Sequence, residues 1–407
     1  MSELPAELTT GERIRLYRER AGLTRAVLSG LVGRSEGWLK KIELGERDLR
    51  NVGMLVRLAQ VLRLPELGAL TGTPGAVPVG SWGKLSHASV PALRDAVLAS
   101  IYRRPTDLPT TAEELSGRVR QAWTVWHVSP HQRTEVGALL PELITATHAL
   151  VKGREGAERR AAYRVMAETY ALAQQYAAHT TEAELYWLTV DRARMAAEEA
   201  DDPVMLAIAA WIVGNGLRDS GGGDEALHLV SDAADSLRPH LEAGSDLLRS
   251  TFGALCLHAA VTCAKEGREG DTWRWWDEAD RTARRLGHYA HPFTMFGTGN
   301  VAVHGVTLGV ELRTPGAALR RLTDVQPESI PSTERRSRLY VDAARSEFAR
   351  REHAGALHYI RRAFDTSPEA VRYVPPARAL VVDLTRVAQG PLRSDAVALA
   401  EEVGVAA

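Results

Sequence analysis

The stretch "GRSEGWLKKIELGER", Gly33 to Arg47, decides how the first part of the chain folds. Gly33 suits a left-handed turn, Ser35 suits a helix N-cap, and Leu39 and Ile42 fall three residues apart, on one face of a helix. The spacing predicts a short helix from Ser35 to Glu43, stopped at Gly45. Its first turn carries an anion, Glu36, and a helix breaker, Gly37, while its polar face carries Lys40 and Lys41.

Outward from this segment, apolar residues mark three more short helices: Ile14, Leu16 and Tyr17; Leu28, Leu31 and Val32; Leu55, Leu58, Ala59 and Leu62. Gly22 before Thr24 separates the first two. Residues 1–65 are therefore expected to form a compact all-α domain, in which a helix capped by Thr24 braces the helix capped by Ser35. This domain holds twelve Lys/Arg against eight Asp/Glu, a modest basic excess in a chain of net charge −1.

"GLTRAVLSGLVGRSEGWLKKIELGER" (22–47) resembles the phage-repressor-like helix-turn-helix family, also called the xenobiotic response element family. The shared pattern is Gly-Leu-Thr, a Leu four residues after the Thr, Gly-x-Ser, then Leu-x-x-Ile-Glu-x-Gly ending on Glu43 and Gly45. The "SEGWL" start is similar to the actinobacterial branch. Arg25 stands where that family usually has Gln, and Ser29 where it usually has Ala, so a Gln-type reading of adenine is lost at position 25.

The resemblance implies a recognition helix in the major groove and a DNA-contacting set of Arg25, Ser35, Glu36, Gly37, Trp38, Lys40, Lys41 and Arg47. Arg25, Lys40, Lys41 and Arg47 suit phosphates, and the lysines also reach guanine. Glu36 either accepts from the cytosine N4 amine or simply stabilises the positive end of its helix. Gly37 permits close backbone approach to the groove wall. Trp38 is read as a hydrophobic brace or sugar contact. Family membership would further imply a homodimer, with two heads on half-sites about 34 Å apart.

Residues 66–88, rich in Gly and Pro ("TGTPGAVPVGSWGK"), read as a linker, with Trp82 as its one large docking side chain. Residues 89–407 read as helical throughout, including "NVAVHGVTL", so the fold class is all-α: a helix-turn-helix domain followed by a superhelix of helical hairpins. Small residues recur at Gly214, Ala260, Gly305 and Ala344; at Ala226, Thr272, Ala317 and Ala356; and at Ala233, Ala279, Asp324 and Ala363. This register resembles tetratricopeptide repeats, although the period exceeds the 34 residues of that unit.

Such a superhelix would present first-helix faces to a groove. The effector-binding candidates are Trp211, Asn215, Arg218, Val261, Val306 and Arg345, apolar in the middle and polar at the ends, which fits a ligand with a greasy body. His258 and His304 read as satisfied core histidines, and Trp273 and Trp276 as core.

Catalytic signals are weak. "DSGGG" (219–223) lacks the leading glycine of a serine-nucleophile loop, "GTGNVAVHG" (297–305) lies in no βαβ unit, and no metal-ligand spacing occurs among the thirteen histidines. Cys256 and Cys263, seven apart on one helix, are too distant to bridge and suit a reduced interior. No signal peptide and no apolar run of membrane-spanning length is read in the chain. The expectation is a cytoplasmic, nucleoid-associated, non-enzymatic transcription regulator with no cofactor, metal or membrane partner: it binds double-stranded operator DNA as a homodimer under a small-molecule or peptide effector. The alternative is an adaptor whose helical repeats hold a partner protein while the N-terminal domain tethers it to DNA.

Overall fold

The computed structural model describes residues 8–49, 52–64, 66–72, 85–99, 111–180, 183–287, 291 and 293–405. Most of the expected linker, with Trp82, lies outside the described residues. Among the described residues the chain is all-α, with no strand. In chain order the helices are α1 (Thr10–Arg20), α2 (Arg25–Leu31), α3 (Glu36–Glu43), α4 (Val52–Val61), α5 (Gly68–Thr71), α6 (Val90–Ala99) and α7 (Ala112–Val128). Then come α8 (Gln132–Val151), α9 (Gly156–Ala177), α10 (Ala183–Ala200), α11 (Pro203–Asp219), α12 (Gly223–Leu237), α13 (Asp246–Lys265) and α14 (Glu269–Leu286). The last are α15 (Thr298–Glu311), α16 (Pro315–Thr323), α17 (Thr333–Ala349), α18 (His353–Thr366), α19 (Pro368–Tyr373), α20 (Pro375–Val387) and α21 (Gly390–Val403).

By contact the chain divides into two units. One comprises residues 1–83, 219–221 and 375–407, the other 84–218 and 222–374. In the first unit, Ile14, Leu28, Val32, Leu39, Ile42, Leu58 and Ala59 close a small core. Leu67 and Leu70 join it, so α5 completes the N-terminal domain at residues that read from sequence as linker. The same unit contains the C-terminal hairpin of α20 and α21, which buries Val381, Leu384, Leu399 and Val403.

The second unit is a row of antiparallel hairpins. Its α11/α12, α13/α14, α15/α16 and α17/α18 pairs fall where the small-residue register places them. Gly214 brings α11 against α12, since a Cβ there would stand 2.7 Å from Val230 Cγ1. Ala226, Ala260, Ala279, Ala344, Ala356 and Ala363 are fully buried. The first and third hairpins each depart by one position: Ala234 rather than Ala233 is buried on α12, and Ala318 rather than Ala317 on α16, where it lies beneath Gly309.

α13 is apolar on every side and 83% of its most apolar 18-residue window is buried, so a helix long and apolar enough to cross a membrane is here the central core helix of the unit. Cys256 and Cys263 both lie on it, buried and unbridged. The row of hairpins also closes on itself. His127 Nδ1, at the end of α7, is 3.3 Å from Ser332 Oγ ahead of α17, and Thr333 Oγ1 donates to the Val128 carbonyl at 3.0 Å. Nearby, Ser367 Oγ donates to the Pro130 carbonyl at 3.1 Å, and Glu369 Oε2 accepts from the Arg133 backbone N–H at 2.6 Å.

Candidate nucleic-acid interface

α2 and α3 owe their short lengths to polar caps and glycine turns. Thr24 Oγ1 accepts from the Val27 N–H at 3.2 Å and Ser35 Oγ from the Trp38 N–H at 3.2 Å, each satisfying one of the orphan donors of a first helical turn. Gly33, with φ +70°, supplies the left-handed residue that turns the chain between them. Leu28, Leu39 and Ile42 then face the core, as their spacing predicts.

A buried ionic knot fixes the two helices on α1. The Glu43 side chain is fully buried, and its carboxylate accepts from Arg18 Nε at 2.6 Å, Arg18 Nη2 at 3.0 Å and Arg25 Nε at 2.6 Å. Arg18 Nη1 also donates to the Leu23 carbonyl at 2.9 Å. Three elements are thus pinned by one carboxylate: the end of α1, the start of α2 and the end of α3. Gly11 lets α1 lie directly on α3, since a Cβ there would collide with the Ile42 carbonyl oxygen.

Each expected DNA-contacting residue has a definite place. Ser35, Glu36, Gly37, Lys40 and Lys41 are exposed together on the outer face of α3. A methyl group placed on Gly37 would meet nothing within 4 Å, so its missing side chain answers to no contact inside the domain. Trp38 is half-buried against the core, and the Arg34 guanidinium stacks over its ring at 5.7 Å, which fits a brace. Arg47 is half-buried after the helix, its N–H donating to the Lys41 carbonyl at 3.2 Å. Arg25 differs from expectation in that its guanidinium is engaged by Glu43, so part of its hydrogen-bonding capacity serves the fold. Ser29, where the family pattern has the smaller Ala, is buried with its hydroxyl returned to the Ala26 carbonyl at 3.1 Å, so no polar atom is stranded.

The groove candidates in the second unit are divided by the structure. Trp211, Arg218 and Arg345 are half-buried and accessible. Asn215 is 8% exposed and accepts from Arg218 Nη2 at 2.7 Å. Val261 is buried in the core around α13, and Val306 is fully buried among Val303, Ala318, Ile330 and Leu339. The expected apolar middle of the lining is therefore core, and of the six candidates those that stay accessible are one tryptophan and two arginines. Sequence reading passed over Arg335, Arg338 and Asp342, although their spacing with Arg345 along α17 puts all four on one helical face. It also missed Glu311 on α15, whose Oε1 stands 2.9 Å from Arg345 Nη1. His258 is buried as expected, whereas His304 is half-buried with Nδ1 2.8 Å from the Asn300 carbonyl oxygen. Trp273 and Trp276 clasp the Arg321 guanidinium at 4.1 and 4.8 Å from their ring centres, and Trp276 Nε1 donates to the Val301 carbonyl at 3.0 Å.

The chain matches no curated protein. Residues 10–70 match a sequence family described as a helix-turn-helix domain, the span from the first residue of α1 to within α5. The N-terminal part of this chain is a helix-turn-helix domain, and such a domain supports a DNA-binding regulator.

Proposed function

We propose that the protein is a sequence-specific transcription regulator that acts as a homodimer: residues 10–70 bind operator DNA and the hairpin unit holds a small-molecule or short-peptide effector that controls that binding. It is read as a non-enzymatic, cytoplasmic protein whose work is recognition. The observation that carries this reading is the outer face of α3, where Ser35, Glu36, Gly37, Lys40 and Lys41 stand exposed on a helix held rigid by its Ser35 cap and the Glu43 knot. Side chains at the start of such a helix meet base edges, so Glu36 has a role in reading, while lysines one turn on supply phosphate contacts.

Binding of the full chain to a duplex selected from a random pool, measured by fluorescence anisotropy across a series of salt concentrations, tests it. Each phosphate contact contributes about 0.9 to the slope of log affinity against log salt, so Lys40→Ala with Lys41→Ala is expected to flatten that slope by about 2 and weaken binding to every sequence. Unchanged affinity and slope in the double variant would remove the assignment.

A further inference from the structure

α8 is capped from outside itself. His131 stands at its N-cap position without a side-chain cap bond, and the Glu369 carboxylate of α19 takes that part: it accepts from the Arg133 N–H at 2.6 Å and the Thr134 N–H at 3.3 Å, orphan donors of the first turn. The same carboxylate accepts from Thr134 Oγ1 at 2.5 Å. These bonds tie α19 to the start of a helix more than two hundred residues earlier in the chain.

His87, just ahead of α6, completes the contact. Its Nδ1 accepts from the Ser89 N–H at 3.2 Å and lies 3.0 Å from the Tyr176 hydroxyl at the end of α9, so the ring proton sits on Nε2. Nε2 is 3.2 Å from Thr134 Oγ1, whose own proton goes to Glu369. The hydroxyl therefore accepts from His87 and donates to the carboxylate, and each proton in this chain of bonds has one direction. His87 and Glu369 are both only 6% exposed.

Such surroundings favour a neutral ring. The charged groups that face His87 are Glu369, 3.8 Å from Nε2, and Arg133, one of each sign, while Tyr176 and Tyr373 are phenols that burial keeps protonated. A proton added at Nδ1 would set a second donor against the Ser89 N–H and leave a net positive charge in a site closed to water. Burial lowers the His87 pKa, against the pull of Glu369 and with the push of Arg133. Once opened, the segment binds this proton more readily, so the stabilisation is full above the ordinary value of 6.5 and is lost as pH falls from there through the lowered value.

We propose that His87 is an acid-sensitive latch on the hairpin row: neutral, it holds Glu369 and Thr134 together over the start of α8, and protonated, it lets α19 go. The latch is independent of the DNA reading, which stands on the Lys40 and Lys41 result.

Nitrogen-15 NMR of the histidine-labelled full chain reads the ring directly, with His87→Gln assigning it among the thirteen histidines. The expected result is a neutral His87 with its proton on Nε2 and a protonation midpoint below 6.5. Thr134→Val, at an exposed position, removes the hydroxyl that Nε2 meets and assigns the same ring by its shift should His87→Gln not fold. Amide hydrogen exchange by mass spectrometry reads the opening. Between pH of about 7.5 and about 5.5, protection of residues 131–135 and 367–373 is expected to fall together, by up to about tenfold more in wild type than in His87→Gln, whose amide still donates to Thr134 but takes up no proton. Residues 10–49 serve as the unaffected control. A proton on Nδ1 of the neutral ring, a midpoint above 6.5, or an equal acid loss of protection in wild type and His87→Gln overturns the latch.

Discussion

Glu43 places a buried anion beneath the surface proposed to meet DNA, and it persists there because Arg18 and Arg25 take up its charge at 2.6 Å. Removing one member of a buried ionic cluster leaves the others desolvated and uncompensated, at a cost of about 3–5 kcal/mol. Glu43→Ala is therefore expected to lower the first unfolding transition of the chain in urea by that amount, whereas Arg25→Ala, whose side chain is 29% exposed, should cost much less. A transition in Glu43→Ala that matches wild type would mean the knot is ornamental. Glu168 on α9 is a contrary case. Burial pushes its carboxyl up to about 7, and its Oε2 has no hydrogen-bond partner. The folded chain then binds this proton more tightly than the unfolded chain does, so the stabilisation is complete below the ordinary value of 4.5 and is lost as pH rises through 7. Glu168→Gln should melt with wild type at pH of about 4 and above it at pH of about 8, read by calorimetry at both.

At the scale of elements, α3 was legible because caps, turn glycines and a three-residue apolar spacing all agree within fifteen residues. Gly37 breaks that agreement, since a glycine costs a helix about 1 kcal/mol relative to alanine and the space around it is open. Gly37→Ala is accordingly expected to raise stability by up to about 1 kcal/mol in urea while lowering operator affinity, because in the proposed docking of α3 the added methyl would meet the groove wall. Equal or tighter DNA binding in that variant would assign the glycine no part in recognition. α13 was less legible: apolar residues on all sides carry no periodic face, so nothing in the sequence says which side a neighbour covers. The same gap explains Val261 and Val306, which helical register places on a groove and which lie in core. On α15 the hairpin crossing is set by Gly309 against Ala318, one residue out of the expected register, and α12 shows the same slip, with Ala234 buried in place of Ala233.

Over the whole molecule, the all-α class and the N-terminal helix-turn-helix were readable from periodicity and turn chemistry, but the closure of the hairpin row was not. Its contacts join residues more than two hundred positions apart, His127 with Ser332 and Arg133 with Glu369, and no local pattern encodes such a meeting. The ion pair between α15 and α17 was hidden for the same reason, since Glu311 and Arg345 find each other only once the two helices are side by side. The clustering of Leu67 and Leu70 with the first helices likewise needs the fold, because the glycines beside them read locally as linker.

Both thiols of this protein sit on one helix at the centre of the hairpin unit, and burial raises the pKa of Cys256 well above its ordinary value and that of Cys263 to about 11. An alkylating reagent at neutral pH should therefore wait for that unit to open, and its uptake becomes a clock for that event alone, silent to melting of the cysteine-free helix-turn-helix domain. Mass spectrometry of pulse-alkylated protein is expected to find the two sites modified together, and rapid modification of the native chain would show instead that α13 breathes independently of the helices packed around it.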